Sequence, residues 1–286
     1  MARRVIELSV ITIVRNRAKH LQRLIEGLRR STAYPLELIV VDMSDSPVAV
    51  PDLPFPSQHI AFDAKRLALA EARNLGARSA GGERLLFLDV DCIPRTNLVA
   101  TMDRALRLSD ALICPEVRYL GPNDFHYQED IELEQASVQH PVRTFPDRGS
   151  RIEPNAGLFW SLTFGIRSVR FDALGGFDQG YDGYGAEDTD FGFRAAEAGL
   201  PLMFLGGTGS FHQHHGVMSP PLQHIADIVR NANRFHARWG IWPMDDWLRQ
   251  FRELGLVSLS DGQLRLERAP SSAELEAATQ PPSAYF

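Results

Sequence analysis

Short apolar runs alternate with stretches of helical spacing through the first half of the chain. Residues 8–14 are almost continuously apolar, which is how a strand buried on both faces reads. Residues 19–30 place Leu21, Leu24, Ile25 and Leu28 on one helical face. A second apolar run, 36–41, ends at Asp42, and a proline-rich connection over 47–56 leads to a short strand near 59–62. Residues 64–78 are alanine-rich and predict a helix that Gly81-Gly82 ends. Residues 85–88 predict the next strand, and Pro94 opens the turn into a helix near 97–108. Strands and helices alternating in this way predict a mostly parallel sheet with helices on both faces. Ligands of such sheets sit beyond the carboxyl ends of the strands. Asp42, Asp89 and Asp91 lie at those ends.

The second half is less regular. Residues 111–118 and 160–166 read as strands, and the long polar stretch 121–153 as a flexible or acceptor-facing region. A short helix over 167–174 precedes the turn Gly175-Gly176-Phe177-Asp178. A helix over 188–198 and a strand over 202–205 follow. Residues 223–238 have strong helical spacing through Ile225, Ile228, Val229 and Phe235. Trp242-Pro243 breaks that helix, and 246–254 predicts a last one. Patterning fades from Ser258, and the Ser-, Ala- and Pro-rich 270–282 predicts mobility. The expected organisation is one domain over 1–257, divided into a nucleotide-binding half (1–118) and an acceptor and catalytic half (119–257), with a mobile tail at 258–286.

Composition narrows the partners. The chain has 286 residues, 44% of them hydrophobic, enough for a substantial core. The net charge is −6, which argues against nucleic acid, because phosphate backbones need a concentrated basic face. Cys92 and Cys114 are too few for a disulfide framework or a four-cysteine zinc site, so reduced thiols and a cytoplasmic location are expected. Glu7 interrupts the first apolar run, and Arg15-Asn16-Arg17 follows it without a cleavage signature, so it reads as a strand and not a signal peptide. No apolar stretch is long enough to span a bilayer. Trp239 and Trp242 read as packing residues, with peripheral membrane or partner contact as their alternative use.

Three polar clusters carry candidate chemistry. Phe87-Leu88-Asp89-Val90-Asp91 ends a strand in two carboxylates, which can share one divalent cation; a simple turn is the plainer alternative. Glu187, Asp188 and Asp190 open a helix after a glycine-rich loop. Helix capping accounts for part of that cluster, but a carboxylate there can also act as a general base. His212, His214 and His215 follow the next strand. Mixed nitrogen and oxygen ligands favour manganese, with magnesium possible. Arg15, Arg17, Lys65, Arg66 and Arg73 supply cations for a diphosphate, although Lys65 and Arg66 also suit a solvated face. No glycine-rich dinucleotide fingerprint, P-loop or nucleophile elbow is present.

Taken together, these motifs resemble the GT-A fold glycosyltransferases, in particular glycosyltransferase family 2. The segments that carry the likeness are 8–17, Val40-Val41-Asp42-Met43-Ser44, Ala72-Arg73-Asn74-Leu75-Gly76 and 87–91. The segment from Gly175 to Phe191 resembles one shared by galactosyltransferases and polypeptide N-acetylgalactosaminyltransferases. The resemblance implies a metal-dependent, inverting transfer of a sugar from a nucleotide-diphospho-sugar, a UDP-sugar by preference, to an acceptor hydroxyl. The acceptor may be read equally as a saccharide, a lipid-linked intermediate, a protein or a small molecule. It implies nucleotide-sugar contacts from Thr12, Val14, Arg15, Arg17, Asp42, Arg73 and Asp89. Asp91 and His212, with His214 as alternate, become the metal ligands. Asp188 becomes the base and Glu187 the acceptor-holding acid, with Tyr184, Trp160 and Tyr181 lining the acceptor. Met43 stands where many members carry a second acid, and Tyr184-Gly185-Ala186 replaces a Trp-Gly-Gly loop. A sugar nucleotidyltransferase and a non-catalytic sugar-nucleotide or glycan-binding module are the alternatives.

Overall fold

The computed structural model describes residues 3–64, 66–126, 128–281 and 283–285. In chain order the first half comprises β1 (Val5–Val14), α1 (Ala18–Arg30), β2 (Tyr34–Asp42), β3 (Ser57–Ala61), α2 (Leu69–Ser79), β4 (Arg84–Leu88), β5 (Cys92–Pro94), α3 (Leu98–Leu108) and β6 (Leu112–Tyr119). The second half continues with α4 (Asp130–Ala136), β7 (Val138–Gln139), β8 (Gly149–Glu153), β9 (Thr163–Arg167), α5 (Ser168–Ala173), α6 (Glu187–Glu197) and β10 (Leu202–His212). It closes with α7 (Ile225–Trp239), α8 (Asp245–Glu253), β11 (Val257–Ser260), β12 (Gln263–Leu266) and α9 (Ser272–Ala278).

The main sheet runs in the order β3-β2-β1-β4-β9-β6-β10-β5. β1 is parallel to both β2 and β4, β2 is parallel to β3, and β6 is parallel to β10. β9 enters between β4 and β6 in the opposite direction. The sheet is therefore mostly parallel at its core, as the alternation of elements predicts. Successive side chains of β1 face opposite layers. Leu8 and Val10 pack with Leu21, Leu24 and Leu28 of α1 and Met102 of α3. Ile11 and Ile13 pack on the other side with a phenyl cluster that includes Phe87, Phe164, Phe177 and Phe191. Both faces are covered, which is why β1 and β4 lack polar alternation. Gly76 lets α2 lie close on the sheet, since a Cβ there would sit 2.5 Å from Ile11 Cγ2.

Four expectations change. The helix expected at 64–78 begins at Leu69, because the chain before it pairs with the glycine loop: the Gly183 N–H donates to Leu67 O at 3.1 Å, and Ala68 bridges Gly183. Lys65 lies outside the described residues. The strand expected at 202–205 continues to His212 across a register shift between Leu205 and Gly209. Gly206, Gly207 and Gly209 hide the continuation, since glycine does not read as strand. The tail expected to be mobile is folded: β11 and β12 form a hairpin and α9 packs beside it. Leu264 and Ala278 join Leu222, Ile225, Ile228 and Phe251 in a third core. The low-complexity look of 270–282 masks a capping box in which Ser271 and Glu274 satisfy each other's backbone N–H groups. The polar stretch 121–153 likewise contains α4, β7 and β8. No helix among the described residues is long and apolar enough to cross a membrane.

Candidate active site

The carboxyl ends of β1 and β2 form one wall of the site. Thr12 is buried and its hydroxyl has no hydrogen-bond partner among the described residues. Val14 is buried and its carbonyl accepts the Met43 N–H at 2.8 Å. Asp42 Oδ1 accepts the Ser44 N–H at 2.9 Å; Oδ2 accepts the Val48 N–H at 2.8 Å and faces His59 Nε2 at 2.9 Å. Burial pushes this carboxyl up, but the bonds from Ser44, Val48 and His59 outweigh it and hold Asp42 below the usual carboxylate range. Arg15 and Arg17 are partly exposed on the loop that follows β1.

A candidate metal-ligand cluster forms where β5 meets the end of β10. The two strands pair antiparallel, with His212 opposite Cys92, and the Gln213 N–H donates to Asp91 O at 2.7 Å. This register places His212 Nε2 3.4 Å from Asp91 Oδ1 and His215 Nε2 3.6 Å from Oδ2. Asp91, His212 and His215 each offer one ligand atom, and these atoms lie within 4.8 Å of one another. His214 is not in this group, and its backbone carbonyl faces His20 Nε2 of α1 at 3.4 Å. The third candidate ligand is therefore His215, three residues after His212, and His214, the alternate to His212 in the sequence reading, stands outside the group. Arg17 Nη1 also reaches Asp91 Oδ2, at 3.1 Å.

Electrostatics suit these groups to a cation. Burial pushes Asp91 up, but His212, Arg17 and His215 around it hold it below its ordinary value. Burial first, and Arg17 with it, lowers His215; burial also lowers His212 against the pull of Asp91. Both imidazoles are thus neutral near pH 7, the form that ligates a metal. One carboxylate and two neutral imidazoles fit manganese, with magnesium as the poorer match.

The second acidic cluster is held against the first by one arginine. Arg73 Nη2 lies 3.2 Å from Asp89 Oδ1, and Arg73 Nη1 lies 3.1 Å from Glu187 Oε1. Burial, then Asp188, pushes Glu187 up to about 7 against the attraction of Arg73. Burial, and less strongly Asp91, also pushes Asp89 up. Asp188 is partly exposed; its Oδ1 accepts the Thr189 N–H at 2.7 Å and its Oδ2 the Ser161 N–H at 3.4 Å. Ala186 starts α6 from a left-handed conformation, φ 71°, which turns the first carboxylates of the helix towards Arg73. Asp190 has a different place. It is completely buried and receives Arg194 Nε at 2.7 Å, Trp239 Nε1 at 3.0 Å and the Tyr181 hydroxyl at 3.2 Å. It ties α6 to α7.

The expected acceptor residues separate. Tyr181 is buried and committed to Asp190, so it lines no acceptor surface. Tyr184 is partly buried and stacks on His224 at 4.5 Å between centroids. Trp160 is partly exposed, precedes β9, and meets the His140 ring edge-on at 4.8 Å. Arg66 is exposed and paired with Asp182, as a solvated position would be. The sequence reading named His215 in the histidine cluster without giving it a ligand role, and missed Ser161 and the bridging by Arg73. The recurrence of histidine at 212 and 215 was the available signal for that role.

Comparison with known proteins places this arrangement. The model of Glycosyl transferase family 2 matches residues 9–173, more than half of the chain. The model described as N-terminal domain of galactosyltransferase matches residues 152–216, which contain Asp188 and His212. Polypeptide N-acetylgalactosaminyltransferase 10 of Rattus norvegicus is 26% identical over 195 residues, 65% of this chain and 32% of that protein. The protein of the same description from Homo sapiens matches to the same extent, at 26% over 195 residues. The chain thus spans about a third (32%) of the length of these curated relatives. Two solved structures share the fold. The crystal structure of GalNAc-T7 with UDP, GalNAc and Mn2+ has a TM-score of 0.54 at 16% identity, covering 86% of this chain and 54% of that one. The crystal structure of S. aureus TarS has a TM-score of 0.52 at 14% identity, covering 82% and 44%. With a GT-A-like sheet, the acidic strand end and the family match agreeing, the chain belongs to glycosyl transferase family 2.

Proposed function

We propose that this chain transfers a sugar from a UDP-sugar to an acceptor hydroxyl with inversion at the anomeric carbon, in a metal-dependent reaction. The observation that carries this reading is the convergence of Asp91, His212 and His215 at the sheet's carboxyl edge, with Asp188 across Asp89 from them. Thr12, Val14, Arg15 and Asp42 border the nucleoside, and Arg17 and Arg73 face its diphosphate. Asp91, His212 and His215 would hold a divalent cation, manganese before magnesium, whose charge would stabilise the departing diphosphate. Asp188 takes the proton of the acceptor hydroxyl as that oxygen attacks the anomeric carbon. Glu187, kept in place by Arg73, hydrogen-bonds the acceptor, and Trp160 and Tyr184 offer ring faces to sugars. The reading is tested at the donor side first: calorimetric titration of UDP into the purified chain, with manganese and then with EDTA. Binding that requires the metal is the expected result. Equal affinity in EDTA would remove the metal from donor binding, and absence of binding in both conditions would remove UDP as the nucleotide.

A further inference from the structure

Residues 141–146 lie in a polar connection whose inside and outside are inverted. Val142 is 58% exposed, whereas the next residue, Arg143, is 4% exposed. The guanidinium lies among the rings of Phe145, Trp160 and Phe204, at 5.2, 4.9 and 5.1 Å from their centroids. Its Nε and Nη2 are buried without a hydrogen-bond partner, and no carboxylate forms an ion pair with it among the described residues. Ring faces compensate part of its lost hydration. They do not use its N–H groups, and a buried guanidinium without a counter-charge is unfavourable. The acidic groups beside it do not neutralise it. Burial pushes the Cys114 thiol up to about 11 against the pull of Arg143, and burial likewise raises the Tyr119 phenol, so both are uncharged.

The position of this cation relates it to the site. Trp160 is a partly exposed member of the group, and the next residue, Ser161, donates its N–H to Asp188 at 3.4 Å. His140 stands edge-on to Trp160, and Tyr119 lies between His140 and His212, at 5.6 and 5.0 Å. Arg143 is therefore one ring removed from the residue that contacts Asp188. A molecule with a hydroxyl at Asp188 and a ring on Trp160 would carry its next substituent towards the guanidinium. We propose that Arg143 and Trp160 form an acceptor subsite for an anionic sugar, one carrying a carboxylate or a phosphate, whose charge satisfies the unpartnered N–H groups. The planar fork of arginine suits either anion. This subsite rests on the reading of Asp188 as the base.

The test compares methyl β-glucuronide, glucose 6-phosphate and methyl β-glucoside as ligands of the full chain by calorimetry, with UDP and manganese and without them. One or both anions should bind roughly tenfold or more tightly than the neutral glucoside, the size of a charged hydrogen bond. Which anion leads separates the carboxylate from the phosphate source. In Arg143→Gln the preference should disappear while glucoside and UDP affinities stay unchanged. If that variant fails to fold, Arg143→Lys, which keeps the charge and loses the fork, should reduce the preference. Equal binding of the three sugars by the unmodified chain, no binding of either anion, or a preference that survives both variants would overturn the subsite. UDP binding without anion preference strikes the subsite alone. Anion preference without UDP binding strikes the transferase reading.

Discussion

Arg17 Nη1 and Asp91 Oδ2 lie 3.1 Å apart, so the arginine shares with His215 one oxygen of the carboxylate, while His212 faces the other. His215 approaches that same oxygen at 3.6 Å. In the proposed reaction Arg17 would therefore compete with a cation for Asp91 when no nucleotide is bound, and would be free to face a diphosphate when one is. Arg17→Ala should tighten manganese binding in the absence of nucleotide by a few-fold, about the worth of a partly exposed ion pair. It should weaken UDP binding in the presence of manganese. Manganese titration by electron paramagnetic resonance, alone and with UDP, reads both signs; the same direction of change in both would refute the competition.

Asp188 is the partly exposed acid of the second cluster, while Glu187 is paired to Arg73. Asp188→Asn keeps the shape and removes the proposed base. Transfer should fall by about 10²–10⁴, the usual contribution of general base catalysis, with UDP affinity changed less than about twofold. Turnover near that of the unmodified chain would assign the proton to another group.

Glu187 carries a pH signature. Its carboxyl titrates near 7 in the fold because of burial and Asp188, against 4.5 ordinarily. The folded state therefore holds this proton more tightly than the unfolded state. By linkage, its contribution to stability is largest below about pH 4.5, declines as the pH rises to about 7, and is constant above. Glu187→Gln lacks this decline. Urea unfolding in EDTA at several pH values across this window should show the variant gaining on the unmodified chain as pH rises. Parallel curves for the two proteins would mean that Glu187 stays ionised throughout.

The C-terminal segment should matter to both stability and the histidines. Leu264 is buried in the third core, and Leu264→Ala should cost about 2–5 kcal/mol by leaving a cavity. The Ser219 N–H donates to Ala278 O at 2.9 Å and the Gln280 N–H to Val217 O at 2.9 Å, so this segment fastens the chain just beyond His215. Removal of residues 271–286 should lower the melting temperature and weaken manganese binding together. Unchanged metal affinity in a folded truncate would show that β5 and β10 suffice to place the histidines.

By itself, the sequence determined the α/β alternation, the strand ends that carry Asp42, Asp89 and Asp91, and the resemblance of its motifs to one glycosyltransferase family. These are local properties: a strand buried on both faces must be apolar along its length, and a chain turning at its end places polar groups there. Tertiary structure decided which polar groups meet. His215 and not His214 stands beside Asp91 with His212, whose place is set by the register of β10 on β5. Tyr181 and Asp190 satisfy one another in the interior, although their spacing in the chain reads as part of a ligand-binding loop. Arg73 joins two acidic clusters that lie far apart in sequence, and Arg143 turns inward from a stretch that composition marks as exposed. Such pairings depend on side chains from separate elements sharing one buried volume, where each charge or hydroxyl must find its partner in space.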